Sequence, residues 1–407
     1  ISLGLVGSEM CIRDRHFHLH GISEKSKPKR WGLTLPDPIT SFGACIDNNY
    51  LYVYGGHIGD AHVYSRATHS SNFVRVDLQT KEVWQKLPFN RPVQGFGMAA
   101  YKGKIYLAGG SQATNKEGEE SNLSSLAEVF VFDVKTKAWS SVTALPAPRS
   151  SHEMVAHKGK LYIVGGWQMK DGKGMKWHDH GLVADLSQNP ITWKKLPKTK
   201  WVVRANSAAV VKGNLYVIGG LDANGTSDAV RFLNLKTMKW KNAQDFPSTN
   251  RIKAFGSAST NLAGRLLVSS FTYQPRIYDD TLDNWVDTNI KMHKKRFFHR
   301  LVPIGQNKVL FIGGAAWDGH LDSIEELDFS QDTKSWKIDA DDDSADEKQS
   351  SWGGFRGEGN SKSQTRHIPL RWSDKRNLLW RRNISGYGQS TPAVSYTHLT
   401  LPTIVSV

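Results

Sequence analysis

Leu51-Tyr-Val-Tyr-Gly-Gly56 decides the fold, because it comes back. Ile105-Tyr-Leu-Ala-Gly-Gly110, Leu161-Tyr-Ile-Val-Gly-Gly166, Leu215-Tyr-Val-Ile-Gly-Gly220 and Val309-Leu-Phe-Ile-Gly-Gly314 share its form, and Leu266-Leu-Val-Ser-Ser270 is a worn copy. Each is a short β-branched and aromatic run stopped by two small residues. That pattern reads as a buried strand ending where no side chain fits or where φ turns positive. The copies recur roughly every 45–55 residues, which is the spacing of a repeat architecture.

Working outward, a tryptophan follows every copy: Trp84, Trp139, Trp193, Trp240, Trp285 and Trp336. Before it stands another strand and a tight turn, as in Val129-Phe-Val-Phe-Asp-Val-Lys-Thr-Lys137, whose Asp can hydrogen-bond its own backbone ahead. After it come Leu-Pro or Phe-Pro (Leu87-Pro88, Leu145-Pro146, Leu196-Pro197, Phe246-Pro247) and then an arginine. A small-residue strand such as Gly97-Met-Ala-Ala-Tyr101 follows and turns through Lys102-Gly103 into the next diglycine strand. One repeat is therefore four antiparallel strands, A to D. A four-stranded sheet repeated about an axis predicts an all-β fold, a β-propeller, with small residues on strand A at the crowded centre and tryptophans between neighbouring sheets.

Diglycine, an apolar or aromatic residue and then Trp is the pattern of the kelch family, which residues 36–338 resemble. The family's Tyr seven positions before the Trp survives only as Tyr278; Phe132, Leu186, Leu233 and Phe329 stand in elsewhere, and the first repeat is shifted by one. The resemblance implies a six-bladed kelch-type propeller from repeats at 41–90, 95–147, 151–199, 205–248, 254–291 and 298–338. Trp31-Gly-Leu-Thr-Leu-Pro36 looks like the end of a strand D (compare Trp193-Lys-Lys-Leu-Pro197). It either pairs with a blade or is the remnant of a seventh.

The ends read differently. Residues 1–15 and the tail 394–407, with the residue before it, resemble peptides translated from sequencing-adaptor DNA. Residues 1–35 are therefore set apart as an artefactual or disordered segment, and 394–407 as an artefactual tail. Residues 339–350 form an acidic linker. Within 351–393, Trp352-Gly-Gly-Phe-Arg-Gly357 and Gly386-Tyr-Gly-Gln-Ser-Thr-Pro392 resemble the opening of a pyrroloquinoline-quinone-like (PQQ-like) repeat propeller. That resemblance implies a protein continuing into a second propeller, with any PQQ site beyond this chain. By analogy with bacterial double-propeller proteins it also implies a periplasmic or extracellular location.

The net charge of +15 can draw a protein to acidic surfaces, but the basic residues are scattered over turns and no nucleic-acid motif accompanies them. No run of 18 apolar residues predicts a membrane span. Of the two cysteines, Cys11 falls in the suspect N-terminal stretch, which leaves Cys45 with no internal disulfide partner and no multi-cysteine metal site.

Strands alternate in direction, so the B–C and D–A connections share one face. The B–C loops are long (57–72, 111–127, 167–181), and long loops on a rigid scaffold are where binding resides. Arg91, Arg149, Arg204, Arg251 and either Arg296 or Arg300 fall in D–A connections, where they could ring the channel mouth and hold carboxylates, phosphates or sugar hydroxyls. Alternatively each braces neighbouring blades through backbone carbonyls. His57, His62, His69, His178, His180 and His320 gather on the same face, with His152 and His299 beginning A strands. In a six-blade ring His57, His62, His299 and His320 could converge, or they could make ordinary hydrogen bonds. Trp167, Trp177 and Trp317 are loop aromatics suited to sugar stacking or a protein hot spot, or to packing among loops.

Two classes of function follow. The kelch resemblance implies a binding module for a protein or carbohydrate ligand. It also admits a carbohydrate-active enzyme: a galactose-oxidase-like copper oxidase, which Cys45 on a strand argues against, or a sialic-acid-mutarotase-like enzyme, for which no acid–base pair stands out. The expected cofactor is none.

Overall fold

The computed structural model describes residues 29–333 and a backbone hairpin pairing Ala393–Ser395 with His398–Thr400. The expectations for residues 1–28, the linker 339–350 and the PQQ-like stretch 351–393 lie outside the described residues, that hairpin's first strand apart.

Six antiparallel sheets make a six-bladed propeller. Blade 1 orders Gly43–Asp47, Tyr50–Tyr54, Phe73–Asp77 and Gln85–Lys86 from centre to rim. Blade 2 orders Gly97–Tyr101, Lys104–Ala108, Val129–Asp133 and Ala138–Val142. In blade 3, Ser150–His157, Lys160–Lys170, Leu182–Asp185 and Trp193–Lys195 are joined by an extra strand, Lys173–Trp177. Blade 4 runs Ser207–Val211, Asn214–Asp222, Gly225–Asn234, Lys239–Ala243, and blade 5 runs Ala258–Leu262, Arg265–Ser269, Arg276–Asp279, Asn284–Asp287. The A strands contact one another all the way round, blade 6 meeting blade 1.

Blade 6 corrects the sequence reading. Arg300–Pro303, Lys308–Ile312 and Ile324–Asp328 take their outer strand from the other end of the chain, Lys29–Arg30, with Lys29 opposite Glu326. Among the described residues the outer place of blade 6 is thus filled from the N-terminal side; Trp336 lies outside the described residues. Trp31–Pro36 runs on from that strand along blade 6, with Trp31 N–H on Ile324 O and Leu35 N–H on Asp322 O, and is not a remnant of a seventh blade. Trp31 does not take the position of Trp193, however. Its N–H meets Ile324 O at the start of strand C, whereas Trp193 pairs with Ala184. Joining Lys29–Arg30 to Glu325–Glu326 in one sheet ties the ring shut.

The repeated residues act between blades. Gly55 and Gly56 hold φ of 57° and 101°, and a Cβ on Gly56 would sit 2.6 Å from Phe42 Cβ. The Gly56 N–H donates to Val93 O of the next blade at 2.8 Å; Gly110 to Arg149 O, Gly166 to Val203 O, Gly220 to Ala254 O and Gly314 to Ile39 O repeat the step. The diglycine is thus a backbone-to-backbone weld that a side chain would hold apart. The tryptophans form a second weld at the rim. Indole Nε1 donates to the preceding blade's carbonyl from Trp84 (Thr34 O, 2.7 Å), Trp139 (Pro88 O, 2.7 Å), Trp193 (Thr143 O, 3.0 Å), Trp240 (Pro197 O, 3.0 Å) and Trp285 (Gln244 O, 2.9 Å). Between the welds lie apolar cores shared by two blades, such as Tyr52, Tyr54 and Phe73 against Phe96, Leu107 and Phe132.

Candidate functional site

A third ring surrounds the channel mouth. Just before each A strand one residue adopts left-handed backbone: Ser41, Gly95, Ser151, Ala205, Gly256 and Phe298, with φ between 52° and 61°. Gly95 N–H donates to Ser41 O, Ser151 to Gly95 O, Ala205 to Ser151 O, Gly256 to Ala205 O and Phe298 to Gly256 O, at 2.6–3.0 Å. Blades 6 and 1 are joined at this level by Arg300 Nε donating to Phe42 O at 2.7 Å. The mouth is therefore a rigid backbone frame, and its side chains are held in place.

Measured from that frame, the six arginines are not one ring. Arg149 and Arg296 stand two residues before the left-handed residue and are 1% and 0% exposed. Arg149 donates to Gly165 O (3.0 Å) and His180 O (3.1 Å), and burial pulls its pKa down to about 10. Arg296 donates to Gly313 O at 3.0 Å and to Ser323, and pairs with Glu325, which is 2% exposed. These two are braces, and no ligand can reach them without unfolding the loops above. Arg91 is held by Glu128 at 3.1 Å and lies over Phe130. Arg204 lies over Trp167 (4.1 Å) and Trp177 (5.8 Å). Arg251 is exposed, 5.8 Å from the Trp317 ring. Arg300 crosses the channel: its Nη1 reaches Glu153 Oε2 at 2.6 Å, from blade 6 to blade 3 on the opposite side. The ion pair spans the bore between the two opposed blades.

The histidines do not converge as a set. His57 and His320 do meet, with rings 5.3 Å apart, but His57 Nε2 lies 2.9 Å from Val63 O and His69 Nδ1 lies 2.8 Å from Ser65 O. Burial lowers the pKa of all three imidazoles. His62 is exposed, and His299 is buried against Phe311 on the channel strand. Among the described residues no three His, Cys, Asp or Glu side chains are grouped to hold a metal. Cys45 sits opposite Tyr52 in strand A of blade 1, where burial pushes its thiol pKa up.

The loop face is lopsided. Over blades 1–3 the long loops lock together. Tyr64, Ala113, Leu123, Trp167 and Met169 make a small core of their own. Arg66 N–H donates to Asn115 O, Met169 N–H to Ser125 Oγ and Gly172 N–H to Leu123 O. Trp167 thus belongs to loop packing, and its outer surface carries Arg204. A polar cleft of ≈ 430 Å³ separates the loops of blades 2 and 3 between Glu120 and Lys170–Met175. Over blades 4–6 the connections are low; blade 5 crosses from Ser269 to Arg276 with six residues, 270–275. Here a run of half-buried phenylalanine rings, each touching the next, leads out to an exposed tryptophan. Trp317 lies 5.5 Å from Phe271, which lies 5.4 Å from Phe297; Phe297 lies 5.2 Å from Phe298, which lies 5.0 Å from Phe255. Trp317 is 68% exposed and neighbouring Tyr273 49%. Except for Trp317, sequence reasoning passed over this cluster. The pair Phe297-Phe298 at a position filled by Gly, Ser or Ala in other repeats was its signal.

Against this geometry, the chain matches the sequence model of the KLHDC2/KLHL20/DRC7 Kelch-repeats domain over residues 11–200 and 117–270. It belongs to the Kelch-repeat family. Curated relatives agree: Kelch-like protein 40 of Xenopus laevis is 27% identical over 49% of this chain and 30% of its own length. Kelch-like protein 25 of Xenopus tropicalis is 25% identical over 70% of this chain and 46% of its own. The Kelch chain described here thus spans less than half the length of these relatives. Among solved structures, one described as "Structure of YjhT" superposes with a TM-score of 0.58 at 16% identity, over 72% of this chain and 95% of that one, which shows a shared fold. Among the described residues no helix is long and apolar enough to cross a membrane.

Proposed function

We propose that this Kelch domain is a protein-interaction module whose partner docks on the face carrying the B–C loops and D–A connections. The observation that carries the reading is the division of labour between the rims. On the far rim most A–B links are two-residue turns, such as those between Asp47 and Tyr50 and between Tyr101 and Lys104. The near rim carries the interlocked loops, the aromatic cluster with exposed Trp317 and Tyr273, and the arginines that are not braces. Apolar rings beside guanidinium groups are the composition of protein-binding hot spots. Of the two ligand classes the sequence left open, protein is favoured over carbohydrate because the near rim exposes Trp317 and Tyr273 beside half-buried phenylalanines rather than a polar cup.

Site-specific photo-crosslinking in cells that express the protein tests this. A benzophenone side chain placed at Met175 or Tyr273 on the near rim should give discrete protein adducts. The same group at Met238 or Leu282, in the C–D turns of the opposite rim, should not. Adducts from the opposite rim alone would overturn the reading.

A further inference from the structure

We infer that the low notch over blades 5 and 6 receives an acidic peptide segment bearing one large apolar side chain, which seats against Phe298 while its carboxylates meet Arg251 and Lys295. The inference rests on the near rim being the docking face, and adds where on it and for what chemistry.

Three independent features point there. The first is backbone conformation. Phe298 holds φ of +53°, a left-handed geometry that a bulky L-residue rarely adopts, at the place where other blades use Gly95, Gly256, Ser41, Ser151 or Ala205. Glycine would adopt it without strain, so the ring is retained at a cost in stability, which is the mark of a functional position. The second is exposure. Phe298 and Phe297 are half-buried at the mouth, and Phe271 links them to Trp317, which is 68% exposed. The notch therefore has an apolar floor and an exposed aromatic edge. The third is charge. Lys294 is held by Asp318 at 3.2 Å and Lys253 stands 3.9 Å from Asp228, but Arg251 and Lys295 have no carboxylate partner among the described residues. Arg251 lies over Trp317 and Lys295 over Tyr273, so both cations are poised on the rings that frame the notch. An apolar anchor flanked by acid is the complementary shape and charge.

Fluorescence anisotropy with short synthetic peptides on the full chain tests the assignment. The probes are an acidic peptide with a central Trp, the same peptide with Trp replaced by Gly, and neutral and basic Trp peptides. A heparin oligosaccharide carries negative charge without an anchor. The acidic Trp peptide should bind at least about tenfold tighter than each of the others, and should weaken as salt is raised. Trp317→Ala and Arg251→Glu should each reduce its affinity about tenfold or more. Phe298→Gly should abolish binding while leaving the melting temperature unchanged or higher, an outcome that a purely structural ring would not give. Binding equal to that of the neutral peptide or of heparin, or binding untouched by both Trp317→Ala and Phe298→Gly, overturns the inference. If the peptide instead depends on Trp177, the notch is wrong but the face stands; crosslinks confined to the opposite rim would remove the face itself.

Discussion

The ion pair between Glu153 and Arg300 gives the sharpest test of ring closure, because its partners lie 147 residues apart and on opposed blades. The groups approach to 2.6 Å with side-chain exposures of 14% for Glu153 and 21% for Arg300. At an effective dielectric of about 20 their gross attraction is about 6 kcal/mol. Desolvation of two half-dry charges offsets most of that. We expect a double-mutant coupling of about 1–3 kcal/mol, above the value of at most about 1 kcal/mol for exposed pairs. The single variants should be unequal. Glu153→Gln keeps a hydrogen-bond acceptor in the channel and leaves Arg300 anchored to Phe42 O. Arg300→Met loses both contacts and strands the Glu153 carboxylate, at a cost of about 3–5 kcal/mol. Urea denaturation of the wild type, both singles and the double variant closes the cycle. High salt should change the coupling little, since the channel walls exclude most counterions. A coupling under about 0.5 kcal/mol would mean that the two A strands do not face each other across a closed bore.

Replacing Arg296 with Met leaves the buried Glu325 carboxylate with only its His293 contacts and should cost about 3 kcal/mol in thermal or urea unfolding, whereas Arg251→Ala should stay within about 0.5 kcal/mol. Deleting residues through Pro36 removes the outer strand of blade 6 with buried Trp31 and Leu35. It should destabilise by at least about 5 kcal/mol, while deletion through residue 28 leaves that strand in place and should cost little; limited proteolysis and thermal melting separate the two. Stability should fall with acid before the carboxylates titrate. Burial holds His178 down to about 4 and His152 and His299 well below 6.5, so between those values the unfolded chain binds protons that the folded chain refuses. Unfolding free energy should therefore be flat above pH ~6.5 and decline from there toward pH ~4; a flat profile across that window would contradict the burial of these imidazoles.

The parts of the molecule legible in its sequence are those that repeat. Diglycines and tryptophans declared themselves by recurrence, and their recurrence has one cause, since each makes the same bond to the neighbouring blade. The closing strand was only half legible. Lys29–Arg30 pairs with residues almost 300 positions away, and the tryptophan beside it invited the wrong register, because Trp31 is buried for its own packing against Leu35 and Ile39 rather than as the rim weld. The arginines were misjudged as a set for a related reason. They share the D–A connection but not the distance to the left-handed residue: two positions for Arg149 and Arg296, one for Arg204, four for Arg91 and five for Arg251. Only the first pair points back into its own blade. Only the distance to the left-handed residue separates braces from surface residues, and that residue declares itself in the backbone rather than in the sequence.

That distinction generalises within this fold. A residue that obeys the repeat is engaged in holding two blades together, as the Gly56 and Trp139 contacts show, and substituting it tests stability. A residue that breaks the repeat adds something the other blades do not supply. Phe298 in place of a small left-handed residue, and Glu153 and Arg300 in place of the Gly43 and Gly97 of blades 1 and 2, are the clearest breaks around the mouth. The second kind of break spans the channel and the first furnishes its rim. A single substitution at Phe298 should therefore act on binding and stability in opposite directions, which no substitution at a repeat-conforming position can do.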